Sequence, residues 1–412
     1  MKNEQFKRNP SVLMKNLKEL DAYTPQNLEK AKKIRIKVYN RLKEFGFEKD
    51  ESGWKPPSHE DKKKKLLRKI HKKRLKSWLN DYKDWIIKHE DSLKSYLADG
   101  EDINPENIKP KLIEVPKRGE YRNLFRYAKY TWSLPIQQGW GRAVSYLVMD
   151  DHNNKLIGIF GLTDPVFNLN ERDEWIGWTS KGREERLKNV MDAYALGALP
   201  PYNDLLCGKL VASLLCSNEV RNRIKEKYGG EKSLISKEIH DGEIALVTTT
   251  SAWGKSSMLS RLYYQDEKLW KHIGFTKGYG HFHLDSGLAE EIHDFLKDVE
   301  HPIEEKLDVG DGPSPKFRMI KKGLEFLGIS KSVMQHGIKR GFYAAPLASN
   351  FKEFLRRETD KLDSYNLPLE DIFSYFKDRY LLDRAERIDR WRDYNKKDTL
   401  VSNKLENIGD VD

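Results

Sequence analysis

The chain has 412 residues, of which 34% are charged and 38% hydrophobic, and carries a net charge of +11. An aromatic content of 11% excludes wholesale disorder, and the absence of any run of about 18 apolar residues excludes a membrane-spanning helix. What remains is a chain of roughly two to four domains with long solvated helices.

The charge is unevenly placed. Residues 1–120 hold 31 Lys or Arg against 20 Asp or Glu, which accounts for the whole excess. A basic surplus confined to one arm offers a surface to phosphates, and nucleic acid is their usual owner. Cys207 and Cys216 lie nine apart in one apolar run with no CxxC spacing, which predicts reduced, buried thiols. The start, MKNEQFKRNP, has no apolar signal region, so a cytoplasmic protein without membrane attachment is expected.

In chain order, residues 12–45 alternate apolar and basic groups at helical spacing, with Leu13, Leu17, Leu20, Leu28, Ile34, Val38 and Leu42 as the apolar stripe. After a break at residues 46–57 comes a second amphipathic helix. Between Asp61 and Asn80 it carries ten Lys or Arg: Lys62, Lys63, Lys64, Lys65, Arg68, Lys69, Lys72, Lys73, Arg74 and Lys76. Such a row makes positional, salt-sensitive phosphate contacts and carries no base information. Trp78, Tyr82 and Trp85 follow it and either stack on a ligand or pack. A crossing strand is expected near residues 107–119. A hairpin follows, with strands at 144–149 and 155–160 about the turn DDHNN.

The tryptophan-rich elbow RDEWIGWT comes next, in which Arg172 beside Asp173 is an ion pair able to hold the corner. A helix is expected over 181–195, a short strand over 194–199 and a helix over 205–216 with Asn203 as its cap. The clearest strand of the chain is 244–250, within EIALVTTT. The segment 257–271 is expected to end in a helix, 332–342 to be another, and 371–394 to be one charged, aromatic helix. The division into domains expected from this pattern is a basic helical arm over 1–112, an α/β core over 113–284 and a helical extension over 285–412.

Strand, loop, helix, strand puts the loop before the helix at 205–216 where an α/β sheet would hold a ligand. Asn203, Cys207 and Gly208 are the candidate cofactor contacts there, although the loop lacks the repeated glycines of a phosphate cradle. Tyr263 and Tyr264, beyond the hydroxyl-rich end of the next strand, are the candidate acids. His281, His283 and Asp285 share one face of a strand but lack a distant fourth ligand, so no metal site is assigned. Walker, H-E-x-x-H, G-x-S-x-G and zinc-cysteine patterns are absent.

The ordered series Gly141-Arg142, Asp164-Pro165, Arg172-Asp173, Gly177-Trp178, and Gly274 with Thr276 resembles the DruA family of the Druantia anti-phage system. The later run HGIKRGFYAAPLASNFKEFL resembles the family's closing segment, and the likeness spans about residues 115–360. It implies an α/β (α+β) fold with an acetyltransferase-like mixed-sheet core, in which a strand, a loop and a helix would hold acetyl-CoA at Asn203–Gly208 and Tyr263 or Tyr264 would protonate a thiolate. It also implies a role in anti-phage defence beside a large helicase. The residues therefore leave three roles open: nucleic-acid binding, DNA ahead of RNA; acyl transfer to RNA or protein; and non-catalytic assembly of a defence complex.

Overall fold

Strands Pro110–Glu114 (β1), Ala143–Asp150 (β2), Lys155–Thr163 (β3), Val190–Ala198 (β4), Leu246–Thr250 (β5), Lys271–Phe275 (β6) and Gly341–Pro346 (β7) build one mixed sheet. Its order is β6-β7-β5-β4-β3-β2-β1. Only β4 and β5 run parallel; every other neighbouring pair in this sheet is antiparallel. The computed structural model describes residues 10–51, 53–133, 136, 139, 141–232, 239–281, 283–284, 286–302 and 315–409.

Period-two alternation explains why both sheet faces are apolar. Val144, Tyr146 and Val148 of β2 enter a core with helices Cys207–Leu214 and Asn218–Tyr228 and with Leu369–Phe376 near the C-terminus. Leu147 and Met149 enter the opposite core, under helices Lys83–Leu93, Glu120–Thr131 and Val401–Gly409. Along β3 the register shifts between Val148 and Met149 of its partner. That bulge puts Ile157 and Phe160 on the first face but Leu156 and Ile159 on the second, a change of phase that strict alternation forbids.

The chain forms two compact units that do not follow chain order: Met1–Arg74 with Thr276–Lys339, and Leu75–Phe275 with Arg340–Asp412. The first is mainly helical, with one short antiparallel hairpin of Glu48–Asp50 and Gly53–Lys55. Helix Pro25–Glu44, capped by the Thr24 hydroxyl accepting from the Asn27 amide at 3.0 Å, buries Ala31, Ile34, Val38 and Leu42. Helices Ser286–Asp298 and Pro315–Phe326, inserted between β6 and β7, belong to the same unit, and Asn16 Nδ2 donates to the Phe326 carbonyl at 2.8 Å. The division falls inside helix Glu60–Asp81, after Arg74. The second unit contains the whole sheet.

Several elements depart from the periodic reading. Residues 12–45 are two helices, Pro10–Glu19 and Pro25–Glu44, parted where Asp21 takes a left-handed φ of 51°. Between 257 and 275 only Ser257–Ser260 is helical. A small hairpin of Tyr263–Tyr264 with Glu267–Lys268 follows, its strands too short to leave a periodic signal, and then β6 begins. Residues 332–342 hold a tight turn at Lys331–Met334 and the start of β7, not a helix. The helix expected over 181–195 is present only as Ser180–Arg186, and β4 begins at Val190 because Val190, Met191 and Asp192 pair with β5. The helix expected over 371–394 starts at Leu369, runs on through one wide turn at Lys377–Leu381, and ends at Arg387.

Candidate nucleic-acid interface and the polar corner of the sheet

Helix Glu60–Asp81 has the spacing to bury one side and wet the other. Leu66, Leu67, Ile70, Leu75 and Leu79 are buried. Each such side chain contributes on the order of 1.5–3 kcal/mol, which outweighs the mutual repulsion of solvated lysines. Lys62, Lys64, Lys65, Arg68, Lys69 and Lys72 are exposed. Lys69 pairs with Glu44 at 3.3 Å, whereas the ion pairs of Lys62 with Glu48 and Lys64 with Asp61 are 3.9 Å long. Lys65, Arg68 and Lys72, at i, i+3 and i+7, make no hydrogen bond or ion pair among the described residues. They form one uncompensated row.

The remaining basic candidates are less available. Lys63 and Lys76 are half-buried, and burial lowers the pKa of Arg74. The Lys73 side chain lies outside the described residues. The three rings after this row are not free platforms: Trp78 packs edge-on against Tyr130 with centroids 4.4 Å apart and against Tyr82 at 6.3 Å, and Trp85 stacks with His89 at 4.5 Å.

The loop before helix Cys207–Leu214 is closed on itself. The amides of Asn203, Asp204, Leu205, Leu206, Cys207 and Lys209 all donate to carbonyls between Leu199 and Leu206. Leu206, with φ 62°, occupies the cap position, and Asn203 stays exposed and does not cap. Cys207 is fully buried, and burial pushes its thiol pKa up. A Cβ on Gly208 would stand 2.8 Å from Met258 Sδ. Lys209, its pKa lowered to about 8 by burial, donates to the Arg261 carbonyl at 2.7 Å and lies over the Tyr380 ring. A pyrophosphate cradle needs unspent amides around open space. These residues therefore do not fit coenzyme A. Tyr263 is exposed, while Tyr264 packs edge-on against Tyr375 at 5.3 Å with its pKa raised by burial, the wrong direction for an acid near neutrality.

A polar corner lies where β3 ends and β2 and β4 begin. Asp164 accepts from the Arg142 amide at 2.9 Å and from Arg142 Nε at 2.8 Å. Gly141 is confined to glycine there: its φ is +70°, and a Cβ would stand 2.2 Å from Asp164 Oδ2. Pro165, half-buried, then turns the chain. Arg172 is fully buried, donating through Nη1 and Nη2 to the Val166 and Phe167 carbonyls and through Nε to Asp173 Oδ1 at 2.8 Å. Arg183 donates to the second Asp173 oxygen at 3.1 Å. Gly177, left-handed at φ 84°, ends this short helix, and Trp178 Nε1 donates to the Leu355 carbonyl. Gly274 lets β6 pass Glu171, whose Cγ lies 3.0 Å from the position a Cβ would take. Thr276 follows as the first residue of the inserted segment.

Asp192 is the residue that motif reading missed. It sits inside an apolar strand, takes a 2.7 Å hydrogen bond from Thr248 Oγ1, and burial pushes its pKa up to about 6. An acid in that range can exchange a proton near neutrality. The only available signal was a lone carboxylate within VMDAYALGA. His281 and His283 are both held neutral by burial, with pKa values lowered to about 4, and Asp285 lies outside the described residues. Among the described residues, no group of three His, Cys, Asp or Glu is placed to hold a metal ion, and no helix is long and apolar enough to cross a membrane.

The polar corner gives a structural reason for the motif series. The family model described as Druantia protein DruA matches residues 61–357. The chain belongs to the DruA family. A Druantia protein DruA from Escherichia coli (strain UMEA 4076-1) is 36% identical over 374 residues, covering 90% of this chain and 92% of the relative. No solved structure matches. The DruA match begins at Asp61, so the basic helix lies inside the family span together with the corner.

Proposed function

We propose that this DruA-family chain is a component of bacterial anti-phage defence that engages nucleic acid through the exposed face of helix Glu60–Asp81. One observation carries the reading: Lys65, Arg68 and Lys72 form a row of exposed cations without partners among the described residues, on a helix whose opposite face is anchored in apolar packing. Phosphates along a polymer are the ligands that such a row neutralises, and counterion release then drives binding. The Druantia relationship supports the defence role. The self-bonded amides of the loop at Asn203–Cys207 favour a scaffolding role for the core over acyl transfer from coenzyme A.

The test compares two variants of the full chain against labelled single- and double-stranded DNA and RNA. K65A/R68A/K72A should lose at least about tenfold in affinity, whereas K271A/K361A/K397A, which removes three exposed lysines elsewhere, should lose little. DNA is the expected preference. Equal losses from the two variants would reduce the row to general charge and sink the assignment.

A further inference from the structure

We infer that helix Glu120–Thr131 carries a second phosphodiester-binding site, made by Arg122, Arg126 and Lys129. The inference shares with the reading above only the nature of the ligand; the residues differ and belong to the sheet-containing unit.

The three cations occupy i, i+4 and i+7 of one helix, across about 10 Å of its length. Arg126 is ordered before any ligand arrives. Its guanidinium carbon stands 4.6 Å from the Tyr82 ring centroid and 4.2 Å from that of Trp85, and its Nε donates to the Tyr130 hydroxyl at 2.9 Å. His89 stacks on Trp85 and stiffens the platform. Nη1 and Nη2 of Arg126 make no hydrogen bond among the described residues, so the planar fork is presented with its donors unspent. Arg122 is exposed and, among the described residues, has no hydrogen bond or ion pair. Lys129 has neither, and only the Phe125 ring lies under its ammonium, at 5.5 Å.

Among the described residues, no acid forms an ion pair with this cluster. The one carboxylate on the helix, Glu120, receives the Tyr96 hydroxyl. The cations act on one another: the pKa of Lys129 is lowered by burial and then by Arg126 and Arg122. Like charges gathered without counterions raise the energy of the unliganded protein, and a polyanion relieves it. A guanidinium held over aromatic rings suits a phosphate bidentately and loses little freedom on binding. Three cations on one helix line suit successive phosphates of a chain better than a single anion, so the ligand is a nucleic-acid backbone, held without reading sequence.

The experiment measures binding of labelled oligothymidine and of a DNA duplex by the full chain over a salt series. R122A/K129A should reduce the slope of log K against log salt by about 1.4 on the single strand and about 1.8 on the duplex. R126K, which keeps the charge and loses the fork, should weaken binding several-fold with little change in slope. A wild-type slope in R122A/K129A, beside a reduced slope in K65A/R68A/K72A, overturns the second site and leaves the first standing. The reverse pattern establishes the second site and removes the first. Absence of any nucleic-acid binding by the wild type overturns both and gives the cluster to an acidic protein. Thermal unfolding midpoints guard against misfolding; if K129A shifts the midpoint, R122A alone should still change the slope by about 0.7–0.9.

Discussion

Arg172 shows how one buried charge organises a corner. Its guanidinium satisfies two loop carbonyls and one carboxylate, and Asp173 in turn receives Arg183. Removing one partner of such a pair leaves the other charge buried and uncompensated, at a cost of about 3–5 kcal/mol. Arg172→Ala should therefore lower the chemical-denaturation stability by that order, and Arg172→Lys should recover little, because an ammonium cannot bridge the same three acceptors. Loss below about 1 kcal/mol would mean the corner relaxes without its guanidinium. Asp192 gives a pH signature. Its folded-state pKa is raised from 3.8 to about 6, so the native state holds a proton that the unfolded chain has already released. Its stabilising contribution is complete below about pH 4 and is lost as pH rises through about 6. Asp192→Asn should flatten the stability profile across that window, which pH-resolved urea titrations would detect. The Arg172–Asp173 pair was legible because its partners are adjacent in sequence. The Asp192–Thr248 contact was not, since it joins strands 56 residues apart.

At the scale of elements, what the sequence revealed depended on how far its pairing reached. The hairpin of β2 and β3 was visible because turn and alternation are local, and the observed register, Asp150 opposite Lys155, closes on the expected turn. The basic helix was visible because its period is its own. β6 and β7 were missed as strands: β6 is five residues long with a bulge at His272 to Gly274, and its partner arrives only after a long inserted segment. Nothing within the segment announces that pairing. The C-terminal helix Val401–Gly409 is held at its start by Glu90, whose carboxylate accepts from the Val401 amide at 2.7 Å and the Ser402 amide at 3.1 Å as well as from the Tyr127 hydroxyl. Glu90→Ala should cost about 1–3 kcal/mol by orphaning these buried donors, and hydrogen exchange should quicken selectively at Val401 and Ser402. Unchanged exchange there would show that apolar packing alone docks the helix.

Over its full length, the chain folds into two compact units. One joins the N-terminal helices to a segment inserted more than 200 residues later, a non-local arrangement that no periodicity in either piece encodes. The other carries the sheet, with a self-bonded loop at the position where the family likeness implies a cofactor. The motif series therefore marks a structural corner, while the charge map marks the surface. The most direct measurement is the salt dependence of wild-type binding to single- and double-stranded DNA. The six exposed cations of helix Glu60–Asp81, three of them unpaired, predict a contribution to the log–log slope between about −2 and −5, to which Arg122, Arg126 and Lys129 would add about −2 to −3. A flat salt response, or no binding at low salt, would rule out phosphate engagement by helix Glu60–Asp81.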